Sequence, residues 1–350
     1  MDTSKSKVSL GKAARFGFAC PSALDAGHDA DCVMMDYRLL ARCCENKAMP
    51  KPILLLVNLN SKQGLLRFGE AVASFNDLGI QYIIGQIKEP EDFARCIRRY
   101  RNKVSAVVIG GGDGTLNVAV DALVETNLPL GVLPLGTAND LGRTLNLPRT
   151  LPEACSVIAE GHRQAIDLGR VNGKYFFNVA SCGLSIKITQ ELSGRLKKRW
   201  GVLAYAIAAV KTLATARRFT ALIQVDGGTE MRRRSLQIAV GNGRYYGGGL
   251  TVAADAAIDD QRLDLYSLEI PHWWHIFFLL PALKSGRFSE RIGICRWEGQ
   301  HITVKTNNPK RINTDGEITT TTPALFELCP KALEVFVPLP SDPAPSQDKK

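Results

Sequence analysis

The sequence predicts an α/β protein in two parts, a doubly wound parallel sheet followed by a mostly antiparallel, β-sandwich-like unit. Three observations carry this expectation. Between residues 53 and 160, apolar runs and helically spaced segments alternate strictly, the pattern of parallel strands joined by helices. After Gly161 the texture changes to short β-rich runs separated by turn residues, which suits antiparallel pairing. A chain of 350 residues, 45% of them hydrophobic, is long and apolar enough to fill two cores.

Taken in order, residues 1–50 lack sustained periodicity and end at Pro50 and Pro52, so they are expected as an extension of unassigned role. The first unit spans 51–162. Its strands are expected at 53–57, 81–87, 106–109 and 130–134, and its helices at 65–78, 90–101, 116–124, 138–145 and 151–160. Continuous apolar runs at 53–57 and 106–109 mark strands buried on both faces. The second unit spans 163–337, and its last segment is a candidate to pack back on the first. Strands are expected at 165–171, 175–179, 220–225, 235–241, 263–268, 301–305 and 333–337, with helices at 201–216 and 272–283. Residues 338–350, rich in Pro, Ser and charge, read as a tail.

Composition narrows the function classes. A charged fraction of 22% excludes disorder across the chain. Forty-four Lys and Arg against 34 Asp and Glu give +10, which points to an anionic partner. Nine cysteines without a CxxC pair argue for a reducing compartment, and no signal peptide is read at the N-terminus. The most apolar stretches, 202–213 and 273–283, fall short of the ~20 residues that cross a bilayer. A cytoplasmic, peripherally membrane-associated protein is expected.

The most informative stretch is Gly110, Gly111, Gly112, Asp113, Gly114 and Thr115, lying between an apolar strand and a helix start. Glycines let backbone amides approach phosphate oxygens, and a helix N-terminus adds favourable partial charge. It is neither a Walker A loop, lacking Gly-Lys-Ser/Thr, nor a dinucleotide fingerprint. A second strand ends in Gly136 at another helix start, followed by Thr137, Ala138, Asn139 and Asp140. Thr137 suits either a helix cap or a ligand contact, while Asn139 and Asp140 are placed to line the same crevice.

Together these elements resemble the diacylglycerol-kinase catalytic-domain family, which includes bacterial soluble lipid kinases and, more distantly, sphingosine and ceramide kinases. The Gly-Gly-Asp-Gly-Thr loop alone also suits NAD kinases; Gly-Thr-Ala-Asn-Asp favours the lipid enzymes. The resemblance runs from about residue 53 to 338 and implies an ATP-dependent lipid kinase using Mg2+. ATP contacts then fall on Gly111, Gly112, Asp113, Gly114, Thr115, Gly136, Thr137, Asn139 and Asp140. The loop after the first strand adds Asn58, Ser61 and Lys62, with Leu59 where relatives carry Pro. Further glycine-rich family segments correspond to residues 178–183, where Cys182, and Ser185 just beyond, depart from the pattern, and 241–249.

Thr314-Asp315-Gly316-Glu317 matches the family's Asp-Gly-Glu. Transfer to a lipid hydroxyl needs a proton acceptor, and the resemblance assigns it to Asp315, with Glu317 as a metal-linked or orienting group. Likeness to sphingosine kinases would place the base at Asp113 instead, and Asp-Gly is also an ordinary hairpin turn. Ala257, Asp260 and Arg262 resemble a structural Mg2+ loop, the first and last through their carbonyls. Gln261 stands where relatives have Gly, and an acidic surface turn is the other reading.

The charge is concentrated. Between Arg195 and Arg234 lie ten basic residues and two acids. Trp273 and Trp274 open an apolar run suited to either a core or an interfacial helix. The expected partner is a lipid at an anionic membrane surface; no nucleic-acid motif appears. A non-catalytic sensing module is the remaining alternative, opposed by the intact acids.

Overall fold

A computed structural model describes residues 51–57, 62–184, 216–243, 245–246, 250–251, 257–270 and 293–339. These belong to one compact unit, 48–350. The expected extension at 1–50, the helices at 201–216 (Ala216 apart) and 272–283, and nearly all of the tail lie outside the described residues.

The first half follows the expected alternation: β1 (Ile53–Val57), α1 (Lys62–Asp77), β2 (Tyr82–Ile84), α2 (Asp92–Tyr100), β3 (Ala106–Gly111), α3 (Asp113–Thr126), β4 (Leu130–Pro134), α4 (Asp140–Thr144) and α5 (Leu151–Glu160). The strands are parallel in the order β2-β1-β3-β4. Successive residues of β1 feed opposite cores: Leu54 and Leu56 one, Ile53, Leu55 and Val57 the other. That is why β1 reads as a continuous apolar run. Register then positions the site. Gly111 pairs with Pro134, so the loops after β3 and β4 leave the sheet at the same height.

The second half supplies β5 (Arg163–Val171), β6 (Lys174–Phe176), β7 (Val179–Gly183), β8 (Phe219–Val225), β9 (Met231–Ser235), β10 (Gln237–Gly241), β11 (Tyr245–Tyr246), β12 (Leu250–Thr251), β13 (Leu263–Leu268), β14 (Ile294–Gly299), β15 (His301–Thr306), β16 (Arg311–Thr314), β17 (Glu317–Thr321) and β18 (Ala324–Phe336). Strand β18 runs back along β4 in parallel, Val335 opposite Leu130. It pairs antiparallel with β5 and β15 on either side of its length. The parallel sheet thereby continues through β18-β15-β8-β9. A six-stranded antiparallel sheet, β14-β13-β10-β7-β16-β17, packs against this extension. Phe176, Ala180, Ile223, Val240, Leu265, Val304 and Phe326 fill the space between.

Several strands escape the sequence pattern for physical reasons. Residues 175–179 were expected as one strand, but the chain breaks at Phe177 and Asn178 and changes sheets between β6 and β7. Likewise 235–241 divides at Leu236, β9 pairing with β8 and β10 with β7 and β13. Strand β9 is Met-Arg-Arg-Arg-Ser, an edge strand whose stability comes from the ladder to β8 rather than from apolar alternation.

Candidate active site

The site is built where the two glycine loops meet. Strand β3 enters α3 through Gly112, whose carbonyl accepts the N–H groups of Thr115 and Leu116 at 2.9 and 3.2 Å. Gly112 and Gly136 touch backbone to backbone. A Cβ on Gly136 would lie 2.4 Å from the Gly112 Cα and 2.6 Å from Asn139 Oδ1. Leu135 N–H donates to the Gly111 carbonyl at 3.0 Å, and Leu141 N–H donates to Asp113 Oδ1 at 3.1 Å. Asp113 thus ties the first loop to α4 while standing at the N-terminus of α3.

Within the second loop the polar residues divide. Asn139, in the left-handed conformation at φ 50°, closes a turn with both ends of its amide: Gly136 N–H to Oδ1 at 2.9 Å and Nδ2 to the Gly136 carbonyl at 2.8 Å. Asp140 is buried at the start of α4. Thr137 is exposed and caps nothing, because α4 begins three residues later. Asn139 therefore shapes the crevice, and Thr137 is the residue left facing out.

Asp315 arrives from β16. With Gly316 it forms the turn into β17, at φ 47° and 105°, so the hairpin reading of Asp-Gly holds. Its carboxylate accepts four donors: Phe177 N–H at 2.7 Å and Asn117 Nδ2 at 3.3 Å on Oδ2, Asn178 N–H at 2.9 Å and Val179 N–H at 3.1 Å on Oδ1. The residue is half-buried and its carboxylate is crowded by protein, and burial pushes its pKa up to about 6. The three backbone donors oppose that shift and the nearby Asp113 charge adds to it. Glu317 is exposed, and its Oε1 is 3.3 Å from where a Cβ on Gly114 would sit. The fold therefore brings Asp315 and Glu317 to the glycine loop.

Sequence reading missed Asn117 and the amide row at 177–179. Asn117 had a signal, since it follows Asp113 by four residues and so shares its face of α3. Behind the row, Asn242 Nδ2 donates to the carbonyls of Asp167 and Phe177 at 3.0 and 2.8 Å. This gives the second glycine-rich segment a bracing role. Replacing Asn117 by Ala is expected to raise the acidic limb of the pH–rate profile, because a donor to the charged carboxylate is lost. A limb that moves down would rule out that contact. Asn58 and Ser61 lie outside the described residues, and Lys62 begins α1.

The loop at 257–262 is arranged differently from a cation cage. Asp260 Oδ2 accepts Ala257 N–H at 3.1 Å and Arg262 Nε at 3.0 Å, and Oδ1 accepts Arg262 N–H at 3.3 Å. Arg262 continues to Glu298 at 2.9 Å. Ala257 thus turns its N–H, not its carbonyl, to the carboxylate, and a guanidinium occupies the cationic position. These residues as placed do not fit a Mg2+ held by Asp260 and two carbonyls. Gln261, at φ 59°, is held by Asp167 Oδ2 at 2.8 Å. Without nucleotide, EDTA is expected to leave the melting temperature unchanged, while Arg262→Gln lowers stability by about 1 kcal/mol or less. A fall in melting temperature with EDTA would restore the metal.

Two glycine loops at the ends of adjacent parallel strands, with carboxylates converging on a helix N-terminus, define a phosphate-handling enzyme site of the kinase type. The model of the diacylglycerol kinase catalytic domain matches residues 52–171, and that of the YegS C-terminal NAD kinase beta sandwich-like domain matches 178–337. A Yersinia enterocolitica protein named "Probable lipid kinase YegS-like" is 32% identical over 83% of this chain and 98% of its own. A Staphylococcus aureus diacylglycerol kinase is 29% identical over 69% of this chain and 77% of its own. A crystal structure from Bacillus anthracis superposes with a TM-score of 0.72 at 26% identity, covering 84% of this chain and 98% of that one. The chain belongs to the diacylglycerol kinase catalytic-domain family of lipid kinases. Membership of a kinase family implies ATP as the phosphoryl donor. Among the described residues, no helix is long and apolar enough to cross a membrane.

Proposed function

We propose that the protein transfers the γ-phosphate of ATP to a hydroxyl of a membrane lipid of diacylglycerol or sphingoid type, with Asp315 as general base. The observation that carries this is the convergence of the Asp315 carboxylate with the glycine loop, close enough to Asp113 for the two charges to interact. The lipid oxygen attacks the γ-phosphorus, the bond to the β-phosphate oxygen breaks, ADP leaves, and the hydroxyl proton passes to Asp315. Of its four donors Asn117 is the most distant, and it is the one an incoming hydroxyl displaces most easily. A pKa near 6 keeps the carboxylate ionised at neutral pH yet basic enough to take a proton.

Amides at Gly112 and the first turn of α3 face the phosphates, and Thr137 adds a hydroxyl at the rim. Asp113 and Glu317 offer the hard oxygen donors that suit Mg2+, which takes one or two carboxylates plus substrate phosphates. When bound, the ion offsets charge on the β- and γ-phosphates. Incubation with labelled ATP, Mg2+ and a panel of diacylglycerol, monoacylglycerol, phosphatidylglycerol, sphingosine and ceramide, with NAD as control, tests the reading. Label in a lipid supports it; label in NAD alone would overturn it.

A further inference from the structure

The strand directions sort the β-rich unit into two ends. The turn at Asp315 marks one. At the other, Gln237 pairs with Gly183 and with Leu268, Phe219 pairs with Ser235, and Arg311 opens β16. From Lys310 to Asp315 is about 17 Å along an extended strand. Arg217, Arg218, Arg234 and Arg311 are exposed at this far end, and Lys310 Nζ lies 5.4 Å from the Phe219 ring centroid. On β9 the burial alternates: Arg232 and Arg234 face solvent, while Arg233 turns in to stack on Trp297 at 4.8 Å. Arg217, Arg218, Arg232, Arg234 and Arg311 form no ion pair with another described residue.

Chain connectivity adds to this. Leu184 N–H bonds the Leu236 carbonyl, Leu236 N–H bonds the Leu268 carbonyl, and Glu269 N–H bonds the Gly293 carbonyl. A Cβ on Gly183 would meet the Phe219 ring at 2.9 Å. So the segments 185–215 and 271–292 both leave and rejoin the described fold at the arginine-bearing end. Their sequences hold Arg195, Lys197, Lys198 and Arg199 in one, Trp273 and Trp274 in the other. Fixed cations and the attachment points of a basic and an aromatic segment share one face.

We propose that this end, centred on Arg217, Arg218, Arg234 and Arg311, is the surface by which the protein docks on an anionic lipid bilayer. The inference rests on the lipid-kinase reading, whose substrate lies in a membrane, and it names the surface that reading needs. Charge complementarity supports it: each Arg near an anionic leaflet strengthens binding about fivefold. The separation from Asp315 makes docking and chemistry independently addressable.

The test is co-sedimentation of the full chain with phosphatidylglycerol/phosphatidylcholine vesicles and with phosphatidylcholine alone. Binding is expected only to the anionic vesicles and is reversed by salt. The triple variant Arg217→Gln/Arg218→Gln/Arg234→Gln is expected to weaken it on the order of 100-fold. The triple Lys replacement should keep it, and Arg101→Gln/Lys103→Gln/Arg149→Gln, which removes equal charge elsewhere, should change it little. Unaltered binding in the first variant, or equal loss in the last, would overturn the proposal; so would tighter salt-sensitive binding to duplex DNA than to vesicles. Melting temperature and circular dichroism check that each variant is folded. Phosphorylation of a short-chain soluble lipid is expected to be unchanged in the triple variant. Absence of that activity in the parent would count against the kinase reading, whereas vesicle binding judges the surface by itself.

Discussion

Asp315→Asn is expected to lower kcat for lipid phosphorylation about 10²–10⁴-fold while ATP binding survives. The parent should show an acidic limb in kcat/KM near pH 6, because burial holds the Asp315 carboxyl at about 6 against a usual 3.8. Activity falls as pH drops through that value and the base becomes protonated; the variant should lack the limb. Stability moves the opposite way. The folded protein binds this proton more tightly than the unfolded chain, so the contribution is fully present below about pH 4 and is lost as pH rises through 6. Removing the buried charge at neutral pH therefore favours the fold. The new amide opposes it, since its NH2 faces the donors of Phe177 and Asn117 or of Asn178 and Val179. A denaturation midpoint close to the parent's, with activity lost, isolates chemistry from folding. Activity within tenfold of the parent would remove Asp315 as the base.

Gly136→Ala is expected to abolish measurable ATP binding and to destabilise by about 1–3 kcal/mol, as overpacking does where neighbours cannot move aside. The added methyl would sit 2.4 Å from the Gly112 Cα, a backbone atom fixed by β3 and α3. Gly112→Ala should be milder, its Cβ meeting the Gly136 Cα at 3.1 Å. Gly69→Ala, in α1 with nothing within 4 Å, should be neutral or stabilising by about 0.5–1 kcal/mol. Calorimetric ATP titration and thermal denaturation of the three variants read the order directly. If Gly136→Ala bound ATP like the parent, the contact between the loops would not be needed for nucleotide binding.

Much of this site was legible from residue order. The apolar run at 53–57 and the glycines after Ile109 announce a buried strand meeting a helix start, because both signals are local. Asp-Gly at 315 and 316 likewise carries its turn in its own chemistry. Asn139 was legible only as polar. Whether its amide faces a ligand or its own backbone depends on the φ of 50° that points it at Gly136. Asp260 was legible as acidic, but the sequence alone leaves open whether Arg262 or a cation answers it.

The amino-acid sequence by itself determined the α/β class, the two glycine loops, the acidic turn and the surplus of positive charge, since each follows from a short window of residue types. The tertiary structure decided what those features face. Asp315 takes amides from residues 136 to 138 positions away and an Asn side chain 198 positions away. Such partners are set by the pairing of β16 with β7 and by the packing of the turn against α3. No local pattern encodes them, because register and packing are properties of the whole assembled sheet rather than of either segment.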